Sequence, residues 1–188
     1  MKELATYIEI DAKPDRVWRH MAAFRHYGEW NPFITAIEGQ PVVGEKITAT
    51  LRLKTADGRN QANHVITPRI IKVENEHEIR WEHGTWFPGM LTFEHWLRIS
   101  QRKGGVKFHQ IMRVEGLLTA MLKDDYFAMF REGFTAMNAA LKLRVETLEA
   151  PHLTAAAIAN DNAGKAAAKA AAAKADAFGA LPTRDTGS

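Results

Sequence analysis

FAMFREGFTAMNAALKLRVETL, residues 127–148, is the stretch whose reading decides the fold. Phe127, Phe130, Phe134, Met137, Leu141, Val145 and Leu148 return every three or four residues, while Lys123, Asp124, Arg131, Glu132 and Lys142 fall elsewhere around the axis. That spacing predicts an amphipathic helix of about seven turns whose apolar stripe must lie on another element. The chain upstream supplies one. Leu91 to Ile99 and Val106 to Val114 alternate with a period of two, and QRKGG between them gives a tight turn at Gly104-Gly105. Glu78 to Thr85 and Glu45 to Leu53 alternate in the same way, and TADGR carries an Asp57-Gly58 hairpin signal. Asn63 to Val73 is a longer segment broken by Pro68, which cannot donate to a ladder, so a bulge or bend is expected there.

The front of the chain has a strand and two short helices. Leu4, Thr6, Ile8 and Ile10 share one face of a half-buried strand. Pro14 then sits where a first helical turn accepts it, and Val17, Trp18, Met21 and Phe24 follow at helical spacing. Tyr27 to Phe33 forms a second short helix or turn, bent at Pro32. The order is therefore one strand, two short helices, five or six consecutive antiparallel strands and one long helix. An α+β two-layer arrangement follows, and a twisted sheet curling round the long helix leaves room for a cavity between them.

After Ala150 the composition changes to an Ala/Lys tract, GKAAAKAAAAKADA, with few large apolar side chains. Residues 1–150 are read as one domain and 151–188 as a flexible tail or isolated helix. The chain has no cysteine, which excludes a disulfide framework, a thiolate metal site and a thiol nucleophile. Its only serines, Ser100 and Ser188, are not in a nucleophile elbow. GQPVVGEK has Glu45 where a phosphate-binding loop needs lysine, and no dinucleotide fingerprint or H-E-x-x-H is present. A net charge of only +3, spread along the chain, does not make a nucleic-acid footprint. With no signal peptide and no spanning apolar run, the expectation is a cytoplasmic protein without stable membrane insertion, a monomer or homodimer.

The segments AKPDRVWRHMAAFRHYGEWNPFI (12–34), the GxxxxGE turn from Gly39 to Glu45, PRI (68–70), EIRW (78–81), EHWLRI (94–99), GGVKFHQ (104–110) and EGLL (115–118) carry a resemblance. The chain resembles the START-like or SRPBCC superfamily, also called birch-pollen-allergen-like, and within it the polyketide cyclase/dehydrase branch. The resemblance covers roughly residues 1–149. It implies a helix-grip fold, with a curved antiparallel sheet wrapped around a long C-terminal helix and a hydrophobic ligand between them. Many relatives carry an acidic residue in the strand after the Gly-Gly turn. This chain has Met112 there, so no acid/base role transfers to that position.

The alternation itself assigns faces. Ile79, Trp81, His83 and Thr85 point inward, as do Leu91, Phe93, His95, Leu97 and Ile99, and Val106, Phe108, Gln110, Met112 and Val114. The cavity should be apolar and aromatic, with His83, His95 and Gln110 as its few polar groups. Trp30 and Phe33, in the WNPF turn, fit either plain core or pocket wall; the pocket-wall reading is taken here. Phe130 and Phe134 close it from the long helix, Arg69 can turn inward beside Pro68, and Tyr126 is expected at the rim. The expected function is binding of a small hydrophobic molecule, a lipid, polyketide-like or aromatic compound, with no cofactor and no metal. The alternative is a cofactor-free cyclase or dehydratase in which His95, or less favourably His83, moves a proton while Gln110 or Arg69 holds a substrate oxygen. A protein-interaction role, like that of the superfamily's co-chaperone members, ranks third.

Overall fold

The computed structural model describes residues 1–54, 60–85, 87 and 89–147. The Asp57-Gly58 turn, Leu148 and the segment 151–188 lie outside the described residues. In chain order the elements are β1 (Lys2–Ile10), α1 (Pro14–Ala22), a 3-10 helix (Phe24–Glu29), β2 (Ile34–Glu38), β3 (Thr48–Lys54), β4 (Gln61–Ile66), β5 (Arg69–Glu74), β6 (Glu78–Gly84), β7 (Thr92–Arg102), β8 (Gly105–Glu115), a short 3-10 turn (Thr119–Met121) and α2 (Asp124–Thr147). The long helix is α2. Its stripe is buried as Phe130, Phe134, Met137, Leu141 and Val145.

The strands pair antiparallel throughout, in a five-stranded order β1-β8-β7-β6-β5 and a three-stranded order β2-β3-β4. Pro68 is where one predicted segment becomes two strands, β4 and β5, that join different sheets. It has no N–H to offer, but its carbonyl accepts from Ile47 N at 2.9 Å, and Ile70 N donates to Glu45 O at 2.9 Å. A bridge between Lys46 and Arg69 at the same point ties the sheets into one curved wall.

Two details depart from the expectation. The strand β2 has no counterpart among the segments the alternation marks, because a register shift between Ile34 and Ala36 buries Ile34 and Ile37, a spacing with no period of two. The β7–β8 turn is also one residue earlier than read. Arg102 pairs with Gly105, leaving Lys103 and Gly104 as the loop, with Gly104 at φ +84°. Gly105 belongs to the strand, where a side chain would collide with the carbonyl oxygen of Ile10.

The inward faces of β6, β7 and β8 hold Ile79, Trp81, Leu97, Phe108, Gln110 and Val114, all buried, as the alternation assigns them, whereas Thr85, also read as inward, lies past the end of β6 and is exposed. The opposite face is held by charge. Trp96 is buried there under three guanidinium groups, with Arg80 at 4.2 Å, Arg113 at 4.5 Å and Arg98 at 5.3 Å from its ring. Glu78 is fully buried beneath them, accepting from Arg80 Nη2 and Arg98 Nη2 at 2.7 Å each. Burial pushes its pKa up, but the bonds from Arg98 and Arg80 outweigh that and hold the carboxyl below its usual range. α2 is fastened to β1 by Lys142, which donates to Glu9 O at 2.8 Å, and by Glu146, which accepts from Asp11 N at 2.9 Å.

Candidate functional site

A cavity of about 270 Å³ lies between α2 and the curved sheet. Trp81 and His83 on β6, Phe93 and His95 on β7 and Met112 on β8 form one side. Ala49, Leu51, Leu53 and Lys54 on β3, with His64 and Ile66 on β4, form the other. Tyr126, Met129, Phe130 and Phe134 close it from α2, and Phe33 closes one end. Among the described residues no carboxylate lines this space, and no group of three or more His, Asp or Glu is placed to hold a metal.

Phe33 reaches the cavity because Asn31 shapes the turn. The buried Asn31 Oδ1 accepts from Phe33 N at 3.0 Å and Ile34 N at 2.9 Å, satisfying two backbone donors that the bend at Pro32 leaves free. The Phe33 ring then stands edge-on to Phe134 at 5.6 Å and Phe130 at 6.0 Å. It also lies against the backbone of α2, where Gly133 is the residue that admits it: a Cβ there would come within 2.8 Å of Phe33 Cγ and 2.7 Å of Cε2.

Among the described residues, His95 is the one buried ionisable group on the wall. Its ring stacks on Phe134 at 4.7 Å with 8° between planes and meets Trp81 edge-on at 4.7 Å. Behind it, Gln110 Oε1 lies 3.2 Å from His95 Nε2, and Gln110 Nε2 donates to Asn138 Oδ1 at 2.7 Å and to Phe134 O at 3.3 Å. Asn138 Nδ2 donates onward to Thr6 Oγ1 at 3.2 Å. Burial pushes the pKa of His95 down to about 4, against a smaller upward pull from the Gln110 bond, so the imidazole is neutral at pH 7. His83 is half-buried and also lowered by burial, and burial pushes the Tyr126 hydroxyl up to about 12.

Of the residues singled out from sequence, Phe33, Trp81, His83, Phe93, His95, Phe130 and Phe134 come together on this wall. Four do not. Trp30 is half-buried against Tyr27, with ring centroids 5.1 Å apart, so the WNPF turn divides and only its phenylalanine faces the cavity. Arg69 is exposed and donates from Nη1 to Gly44 O at 2.7 Å, which turns it away. Phe108 is fully buried core between Ile8 and Ile99. Gln110 stands behind His95, where its amide is consumed by protein partners. Lys54 and His64 were not anticipated. Lys54 ends β3 and pairs with Glu132 Oε1 at 2.6 Å, while His64 sits opposite Leu51 on the edge strand β4. β4 is mostly exposed and carries no apolar alternation that could have announced its facing. Tyr126, expected at the rim, is part of the wall.

A helix gripped by a curved antiparallel sheet, with an apolar chamber between the two, defines the helix-grip class of α+β proteins. The chain belongs to the family described as polyketide cyclase / dehydrase and lipid transport, whose model matches residues 1–146. Solved structures share the fold at low identity. A START superfamily protein from Mycobacterium smegmatis is 16% identical, with a TM-score of 0.57 over 77% of this chain and 97% of that one. Ara h 8.0201 is 15% identical, with a TM-score of 0.57 over 78% of this chain and 98% of that one. The di-domain ARO/CYC protein StfQ from the steffimycin biosynthetic pathway is 11% identical, with a TM-score of 0.54 over 79% of this chain and 50% of that one. A comparison with curated proteins finds no match. Among the described residues no helix is long and apolar enough to cross a membrane.

Proposed function

We propose that the chain binds a small hydrophobic molecule, aromatic or polyketide-like, in the cavity between the sheet and α2, without covalent chemistry. The observation that carries this reading is the wall itself: a space of about 270 Å³ faced by Phe33, Trp81, Phe93, Tyr126, Phe130 and Phe134. Burial of apolar ligand area at roughly 25 cal/mol per Å² supplies the driving force, and the convergent rings favour a flat molecule over a branched one. The arrangement supports binding better than proton transfer. A general base works best with a pKa near the operating pH, and burial has carried His95 down to about 4. No wall carboxylate among the described residues raises it again.

The test is native mass spectrometry of the purified full chain, followed by titration with 2-naphthol monitored by tryptophan fluorescence. Saturable one-to-one binding that quenches the Trp81 signal, and is lost in Phe134→Ala, supports the reading. A protein that neither retains an apolar molecule nor responds to the titration overturns it. Turnover of an offered polyketide-like substrate that vanishes in His95→Phe would put catalysis in its place.

A further inference from the structure

His95 has one N–H to give, and the protein has already taken it. The Phe134 carbonyl is an acceptor only, so the Gln110 amide must turn its NH₂ towards Phe134 O and Asn138 Oδ1, which leaves Oε1 facing His95. Two lone pairs at 3.2 Å would repel, so Nε2 is the protonated nitrogen of the neutral ring. Asn138 is fixed in turn by its bond to Thr6 Oγ1, and the whole set is anchored on β1, β8 and α2. The stack on Phe134 and the edge contact with Trp81 stop the ring from swinging out of this geometry.

The lone pair is therefore on Nδ1. It is the ring nitrogen that no described residue bonds, on a ring that lines the cavity. A ligand carbonyl or ether placed there would meet a second acceptor. A hydroxyl or N–H would complete the bond.

We infer that Nδ1 of His95 is a specificity-determining acceptor, and that the molecule in the cavity is an apolar one bearing a hydrogen-bond donor, a phenolic or enolic hydroxyl, directed at it. Gln110 and Asn138 are positioning residues that hold the imidazole in the accepting tautomer. The inference rests on the ligand-binding reading above and sharpens it to a class of molecule. Apolar compounds whose oxygens are all carbonyl or ether are disfavoured, because they leave Nδ1 without a partner and bring like dipoles together.

The experiment compares 2-naphthol with 2-methoxynaphthalene, which keeps the rings and lacks the donor, by calorimetric titration of the full chain. 2-Naphthol should bind about three- to tenfold more tightly, the range expected of one net hydrogen bond. His95→Phe should remove the preference, bringing the ratio of the two affinities to within about twofold of one. Should that variant fail to fold, ¹⁵N spectra of the wild-type imidazole decide the case: Nε2 should carry the proton and Nδ1 should be bare, with the Nδ1 shift moving on addition of 2-naphthol alone. Gln110→Leu should mix the tautomers and shrink the preference. Equal affinity for the two compounds, or a proton found on Nδ1, overturns the inference while leaving the binding cavity standing. Failure of both compounds to bind overturns both.

Discussion

Gly133→Ala sets two effects of known sign against each other. Within a helix, replacing glycine by alanine ordinarily stabilises by about 1 kcal/mol, because glycine loses more backbone freedom on folding. At this position the new methyl would overlap the Phe33 ring, with Cε2 at 2.7 Å and Cγ at 2.8 Å from the Cβ site. The overlap includes the base of the ring, so a small rotation does not relieve it. The ring cannot retreat into Phe130 and Phe134, and its own backbone is pinned by Asn31. Overpacking of this kind costs about 1–3 kcal/mol, which leaves a net loss of about 1 kcal/mol after the helix gain. Urea denaturation of the wild type, Gly133→Ala, Phe33→Leu and the double variant measures it. In the Phe33→Leu background the same substitution should be neutral or stabilising, giving a coupling of about 1–2 kcal/mol between the sites. If Gly133→Ala stabilises the wild-type protein, or costs the same in both backgrounds, the placement of Phe33 against α2 is wrong.

Acid stability follows from His95. Its folded pKa of about 4 lies below the ordinary 6.5, so between these values the unfolded chain binds a proton that the folded chain refuses. Stability is full above about pH 6.5 and falls by up to about 3 kcal/mol by pH 4; His95→Phe should flatten the slope of denaturation midpoint against pH between 6.5 and 5, and an unchanged slope would refute the burial of the ring. Glu78→Gln should cost on the order of 2–3 kcal/mol by urea denaturation, discounted because Arg80 and Arg98 remain partly exposed, and the loss should persist in high salt. Trp30→Ala should leave 2-naphthol affinity unchanged within about twofold, while Phe33→Ala should weaken it at least about tenfold, since only Phe33 is on the wall. Asn31→Ala should destabilise by about 1–3 kcal/mol through its two orphaned backbone donors and should weaken 2-naphthol as well, because Phe33 loses its anchor.

The sequence by itself determined the elements whose geometry is local. A helix buries one stripe and a strand one face, so Phe130, Phe134, Met137, Leu141 and Val145, and the inward sets of β6, β7 and β8, could be read from periods of 3.6 and two without any partner in view. Pro14 and Pro68 punctuated the chain for equally local reasons. Where a bulge broke the period, as between Ile34 and Ala36, β2 was lost. Tertiary structure alone decided what an inward residue does once inside. Trp30 and Phe33 are three positions apart with the same apolar character, yet one packs on Tyr27 and the other walls the cavity, because Asn31 bends the chain between them. Gln110 faces inward as its strand dictates, but whether it meets a ligand or the protein depends on Asn138 and Phe134, contributed by a helix that follows it in the chain. That helix fixes the His95 tautomer too. Facing is a property of a strand, whereas a hydrogen-bond balance belongs to every element that meets at the site.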